Sequence, residues 1–469
     1  MFPKQNLEKQ LNVQIATSNK MDNAISLWLQ MYKDEPPWLG SPGCEKTMCL
    51  PSSIAEEFAR LILTEFEFRL AGSERADFLN EQFAPYLTTF NNTIELWGAL
   101  GGMAIKPFVS GEDPETGKPT KIEMDIIQAN KFYPTAFSEK KITGAVFVDS
   151  KREGEYLYTR LEHHNLVGEH YTVVNKAYRS ERLTITTAED DLITAEYPLQ
   201  QEVPLETIDE WAALEPIVEM DGIKRPLFLY VRIPRANNKD VESPLGASVY
   251  SKAVEAIRDT DEQYTEIRWE YKSKEAAIHA SNDLFDLDRN GKPILPEGKE
   301  RVYQTYEFEG KTNAGYLQAF SPDIRDSSMY KGLNEQLRHV EFLCGLAYGT
   351  ISDPATIDRT ATEVIVSKQR SYTAVSNMQK AWDMALTSLI EIMEILCDLY
   401  QIVPPGNIEK TCNWGDGVKE DTDVEYQRRW SMVMAGKMKL EKFYSWYFGC
   451  SEEEAKEYIP EETSYPPEE

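Results

Sequence analysis

Between Ala355 and Val403 the chain carries neither Gly nor Pro, and its apolar residues recur in steps of three and four. They are Val375, Met378, Trp382, Leu386, Leu389, Met393, Leu396 and Tyr400. That spacing predicts one continuous amphipathic helix. Thr360 with Glu363 forms a capping box at its start, and Pro404-Pro405-Gly406 stops it. At 1.5 Å per residue such a helix is roughly 60 Å long, far beyond the usual three or four turns. Its first half is thin in apolar residues, with Lys368, Gln369 and Arg370 in succession, so a strut between levels of a structure is expected rather than core filler.

The N-terminal hundred or so positions read as helical. Ile25, Trp28, Leu29 and Tyr32 share a face between Asp22 and Asp34, and Ser53 with Glu56 predicts a helix start running towards Gly72. A further helix is predicted from Glu74 to about Leu96. From Met103 to about Arg235 the period changes to two, with strands predicted at Lys121–Ile127, Ile142–Asp149, Tyr156–His164, His170–Arg179 and Leu227–Ile233. A second long helix is predicted after Ser243-Pro244-Leu245-Gly246-Ala247-Ser248, reaching about Ser281. Its apolar stripe (Val254, Ile257, Tyr264, Ile267, Tyr271 and Ile278) is narrow and is interrupted by Asp261 and Glu275. A stripe so thin suits a helix flanked by copies of itself.

Strand character returns over 282–326, with Asp288-Arg289-Asn290-Gly291 as a hairpin turn between Leu284–Leu287 and Arg301–Glu309. Asp286, Asp288, Asn290, Gly291 and Glu297 also match a calcium-loop spacing, but Pro293, Pro296 and Gly298 oppose the exiting helix such a loop needs. The hairpin is therefore preferred. A helix from Met329 to Tyr348 buries Leu333, Leu337, Val340 and Cys344. Its Lys331, Glu335 and Arg338 read as internal salt-bridged pairs. After the long helix come a strand at Lys410–Trp414 and short helices at Asp423–Met434, Leu440–Phe448 and Ser451–Tyr458.

Charge changes the picture more than composition does. The formal net charge of −28 argues against a tight, sequence-independent grip on DNA, which needs clustered Lys and Arg. Six scattered cysteines are expected to be reduced, structural thiols. No window offers the roughly 18–20 apolar residues of a membrane helix, and the N-terminal stretch lacks a signal-peptide apolar core. The chain is thus expected to work in soluble form, with no membrane partner. The segment SGEDPETGKP is not a phosphate loop: five residues separate Gly111 from Gly117 and Pro119 stands in the hydroxyl position, whereas that motif needs four and a Ser or Thr. His163, His164 and His170 are the one cluster with metal-ligand chemistry, yet adjacent strand residues face opposite ways. They are expected to be ordinary hydrogen-bonded strand histidines, with no cofactor or metal bound.

The order of elements resembles the portal protein of tailed double-stranded DNA bacteriophages, in the form found in siphoviruses of Gram-positive hosts. Three segments carry the resemblance. One is PLFLYVRIP with Asn237-Asn238 and SPLGAS; another is GTISDPATIDRT followed by TATEV and the long helix. The third is the tail, with Phe448-Gly449-Cys450-Ser451 and SEEEAKEYI. The resemblance implies an α+β portal-type ring subunit. It assigns a wing to 1–244, stem helices to 245–281 and 327–348, and a clip to 282–326. A tunnel loop falls at 349–359, a long wing helix with return strand at 360–418, and a short crown with the tail at 419–469.

It further implies a ring of twelve copies at one capsid vertex of the virion, assembled in the host cytoplasm. Double-stranded DNA is packaged through that ring by the terminase large subunit and later ejected. The clip would meet terminase and then the head-to-tail adaptor, while major capsid and scaffolding proteins surround the ring. On this reading Gly349, Thr350, Ile351, Ser352, Asp353, Arg359, Lys368 and Arg370 face DNA. Val254, Ile257, Tyr264, Ile267 and Tyr271 form the ring interface. Asp288, Arg289, Asn290, Gly291, Arg301 and Glu307 belong to the clip, and the chain is not an enzyme. Two other readings compete: an acidic scaffold or chaperone binding basic partners, and a metal-dependent hydrolase using the three histidines with Glu162 and Glu169.

Overall fold

The computed structural model describes residues 4–181, 199–273, 277–281, 284–286, 292–295, 303–306, 317–320, 323, 325–353, 361–415, 422–448 and 455–458. The fold is mixed α+β and divides into two compact units, Met1–Trp414 and Gly415–Glu469.

In the first unit, helices α1 (Lys4–Leu11), α2 (Asn19–Tyr32) and α3 (Leu50–Ile62) precede strand β1 (Glu67–Ala71). Helix α3 starts three residues before the expected cap. Pro51 occupies its first turn, where a missing N–H costs nothing, and the Ser53 hydroxyl donates to Cys49 O instead of capping. The helix expected from Glu74 to Leu96 is two, α4 (Glu74–Thr88) and α5 (Phe90–Leu100). At the break the Thr88 and Thr89 hydroxyls donate to the carbonyls of Pro85 and Tyr86, competing with continuation of the helix.

Strands β2 (Gly102–Ser110), β3 (Lys121–Gln128) and β10 (Leu229–Arg232) form one sheet in the order β10-β2-β3. A larger meander follows the order β4 (Phe132–Ser138), β5 (Lys141–Glu153), β6 (Tyr156–Val167), β7 (His170–Glu181), β8 (Gln201–Val203), and β9 (Ile217–Asp221) also pairs with β7. Along β5 the near-continuous apolar run 142–148 serves two cores. Ala145 and Phe147 enter the main one, while Val146 and Val148 enter a smaller one with Leu7, Tyr133, Leu161 and Tyr178. A strand buried on both faces loses the polar alternation of a one-sided sheet.

The segment 245–253 is not helical. Gly246 crosses the end of α5 so closely that a Cβ there would lie 2.0 Å from Gly101 O, and Gly101 itself has φ +84°. Only glycine fits both roles. Helix α6 (Val254–Ser273) is therefore shorter than expected at both ends. Past it the chain pairs as β11 (Ala277–Ser281), flanked by β12 (Tyr303–Tyr306) in parallel and β13 (Leu317–Phe320) antiparallel. Residues 284–286 are not a strand; Ile294 N donates to Asp286 O at 2.7 Å. Helix α7 (Asp326–Cys344) returns to the body.

Helix α8 (Ala361–Tyr400) has 40 residues, as the periodicity predicts. Its seven apolar positions from Val375 to Leu396 are buried in the main core, so the second half is core rather than strut. Trp382 packs on Phe90 and Trp97, with ring centroids 5.0 and 5.4 Å away. The buried Arg75 donates to the carbonyls of Val403 and Pro404 and to Asp398, capping the C-terminal end of α8 with a cation. Strand β14 (Glu409–Asn413) then pairs antiparallel with β1. The second unit contains α9 (Thr422–Met434) and α10 (Leu440–Phe448), joined by an aromatic cluster around the buried Phe443. Its last predicted helix is described only as a short turn at Lys456–Tyr458.

Candidate functional site

Helices α6 and α7 pair antiparallel. Gln263 donates to Met329 O at 3.3 Å, and further along the pair Arg325 donates to both carboxylate oxygens of Glu270 at 3.1 and 3.0 Å. Glu270 is buried while the Arg325 side chain is 68 % exposed, so the bidentate pair covers a buried carboxylate from the solvent side. The chain leaves α6 at Ser273, forms the sheet β12-β11-β13, and re-enters α7 at Asp326. The result is a two-helix stalk with a β module inserted between the end of α6 and the start of α7.

Val254, Ile257 and Ile267, expected to meet a neighbouring copy, are buried within the chain itself, Ile257 completely. Tyr264 is half-buried, and Tyr271 is exposed. Val254, Ile257 and Ile267 are thus covered within the subunit, which corrects the assignment of those three to a ring interface, whereas Tyr271 is not covered. Asp261 is also buried: Trp38 Nε1 donates to it at 3.0 Å and Met48 N at 2.8 Å. It ties the 38–48 loop to α6 instead of interrupting the stripe. Burial pushes its carboxyl above the usual carboxylate range, against the pull of these hydrogen bonds.

The loop after α7 is anchored, not loose, in its first half. Glu341 is fully buried and accepts from Ile351 N at 2.6 Å, Ser352 N at 2.9 Å, the Ser352 hydroxyl at 2.9 Å and Gly349 N at 3.1 Å. Asp353 N donates to Asn334 at 2.7 Å. One carboxylate therefore satisfies three loop amides. Arg235 holds the same corner from below, donating to Cys344 O and Val249 O.

Arg370, on α8, stacks on Phe342 and Tyr348 with its guanidinium 4.5 and 5.8 Å from their centroids. Its charge is engaged by aromatic faces. Arg338 lies 5.2 Å from the Tyr348 ring and pairs with Glu335 at 2.9 Å, as the helical spacing implied. Lys331 instead lines a groove of about 630 Å³ with Ser327, Tyr330, Leu333, Leu337 and Asp353. Asp288, Arg289, Asn290, Gly291, Glu297, Arg301, Glu307, Arg359 and Thr360 lie outside the described residues, as does the side chain of Lys368.

The three histidines do not converge. His163 shares a hydrogen bond with Thr135 at 3.2 Å, and His170 with Asp221 at 2.7 Å. His164 sits between Tyr171 and Glu162, 2.6 Å from each. Burial alone would push the Glu162 carboxyl up, but Lys106 at 2.6 Å, His164 and Arg160 together hold it well below the usual range. Burial drives His163 down to about 4. Among the described residues no group of three His, Cys, Asp or Glu side chains is arranged to hold a metal ion. No described helix is long and apolar enough to cross a membrane.

The Glu341 anchor and the Lys106–Glu162–His164 network are absent from the sequence reading. Glu341 looks like one more charge on α7. Lys106 on β2 and Glu162 on β6 belong to different sheets and meet only where these pack. Compared with models of known protein families and with curated proteins, the chain matches none of them.

Proposed function

We propose that this chain is the subunit of a phage portal ring, a head-to-tail connector through which double-stranded DNA is packaged and ejected. The observation that carries the reading is the antiparallel stalk of α6 and α7 with its three-stranded module, followed by an anchored loop and a 40-residue helix. That succession matches stem, clip, stem, tunnel loop and long wing helix of the family. The net charge of −28 supports a conduit, because a lining that bound phosphates tightly would stall a moving duplex. On this reading the module meets terminase and then the adaptor, and the Gly349 loop with Arg370 borders the channel.

The test is direct. Purified full-length chain should form closed rings with a central hole in negative-stain images, and native mass spectrometry should give one discrete high mass, twelve copies by the family's rule. A monodisperse monomer at micromolar concentration would overturn the proposal and favour an acidic scaffold.

A further inference from the structure

The stalk presents two unlike surfaces on opposed sides. Taking the α7-facing line of α6 at Gln263 and Glu270, Trp269 is turned about 120° away at roughly 100° per residue. It is 65 % exposed, the largest apolar side chain on the outside of α6. Glu262 and Glu266 run down the same side. Glu262 pairs with Arg258 at 2.9 Å, while Glu266 is exposed and in no ion pair among the described residues. A Trp knob above an acidic strip is unusual on a helix whose aliphatic residues Val254, Ile257 and Ile267 are buried.

On the other helix, the groove of about 630 Å³ is walled by Ser327, Tyr330, Lys331, Leu333 and Leu337 of α7, with Ile351 and Asp353 beyond. The α7 backbone approaches α6 at Met329 and Gly332, where a Cβ on Gly332 would lie 2.8 Å from the Gln263 amide nitrogen, and the Tyr330 hydroxyl also reaches Tyr271 of α6. Ser327, Tyr330 and Lys331 are turned roughly 130–170° from that line and Leu333 only about 70°, so the groove borders α6 at Tyr330 and opens on the side opposite Trp269. Antiparallel pairing sets Glu262 and Glu266 about level with Lys331 and Ser327. Lys331 is exposed and in no ion pair among the described residues.

We infer that the occupant of this groove is a second copy of the chain, Trp269 of one subunit entering the α7 groove of the next while Glu266 meets Lys331. The inference rests on the ring reading above and names its contact. Knob and groove are different surfaces on opposed sides, so the contact is heterologous and repeats head to tail, the arrangement that closes into rings. A buried Trp in a shaped pocket is the usual anchor of such an interface, with an ion pair at its rim. The partly apolar groove gives the indole a seat, and Glu266 stands about one helical turn in height from Lys331, within reach of two long side chains.

Four full-length variants test this by native mass spectrometry and negative stain. Trp269→Glu should leave monomers and short arcs, raising the concentration needed for assembly by at least about thirtyfold. Ser327→Trp with Lys331→Glu should block the groove and do the same. Mixed in equal amounts, these two should form one-to-one dimers and nothing larger, because each retains one intact surface. Glu266→Lys should weaken rings, and Glu266→Lys with Lys331→Glu should restore them. All substituted positions are on the surface, so melting temperatures should stay at the wild-type value. Wild-type rings that survive Trp269→Glu, or a mixture that builds larger assemblies, would overturn the knob and groove while leaving the portal reading intact. A wild-type chain that never forms rings would overturn both.

Discussion

Replacing Glu341 with Ala should release the loop after α7 without unfolding the body. The carboxylate accepts four hydrogen bonds within 3.1 Å, three from backbone amides and one from the Ser352 hydroxyl. Hydrogen bonds to a charged acceptor contribute about 1.5–3 kcal/mol each net, and bonds sharing one carboxylate do not simply add. Gly349 and Ile351 are half-buried and regain water on opening, whereas Ser352 is buried. The net loss is therefore roughly 3–5 kcal/mol, confined to the loop and its junction with α7. Glu341→Gln keeps the shape and one acceptor oxygen, and should cost only about 1–2 kcal/mol. Hydrogen–deuterium exchange read by mass spectrometry should show peptides covering 346–353 exchanging about a hundredfold faster or more in the Ala variant. Peptides from α8 after Val375 should be unchanged. Wild-type protection over 349–352 in Glu341→Ala would refute the argument that this carboxylate organises the loop.

Two further outcomes follow from burial. His163 has its folded pKa pushed down to about 4, against about 6.5 when unfolded. The unfolded state takes up its proton first, so the stability His163 contributes is complete above pH about 6.5 and is lost as pH falls towards about 4. His163→Gln should flatten that part of the melting-temperature profile, and a profile parallel to wild type would contradict the assignment. Ile257→Asp should destabilise the folded subunit by more than about 4 kcal/mol, because an unpaired charge enters a sealed core. A well-folded monomer with a wild-type melting temperature would return Ile257 to the subunit surface.

The long helix was legible because its signal is local. Forty residues without Gly or Pro and a steady three-four period leave no competing structure, and α8 follows them. The stripe on α6 was legible as a covered face, but a hydrophobic pattern does not say what covers it. Val254, Ile257 and Ile267 look the same whether a neighbour or the chain's own body packs on them. Residues 277–281 read as a continuation of α6 because Ala and Ile tolerate helix; pairing with β12 and β13, up to some forty residues away, decided otherwise. Glu341 escaped for a related reason. An acid on a helix is ordinary until the loop that follows turns three amides towards it.

The antiparallel clamp between Glu270 and Arg325 has an evolutionary consequence. The chain departs from the body and comes back at two points one ion pair apart. Whatever lies between Ser273 and Arg325 therefore starts and finishes at a fixed, short separation, whatever its length. Closing a longer excursion costs only about 0.6 kcal/mol for each doubling, and segments hung from such adjacent ends accept insertion and exchange well. The tip can be re-tailored to a new docking partner while the packed cores beneath it keep their own sequence constraints.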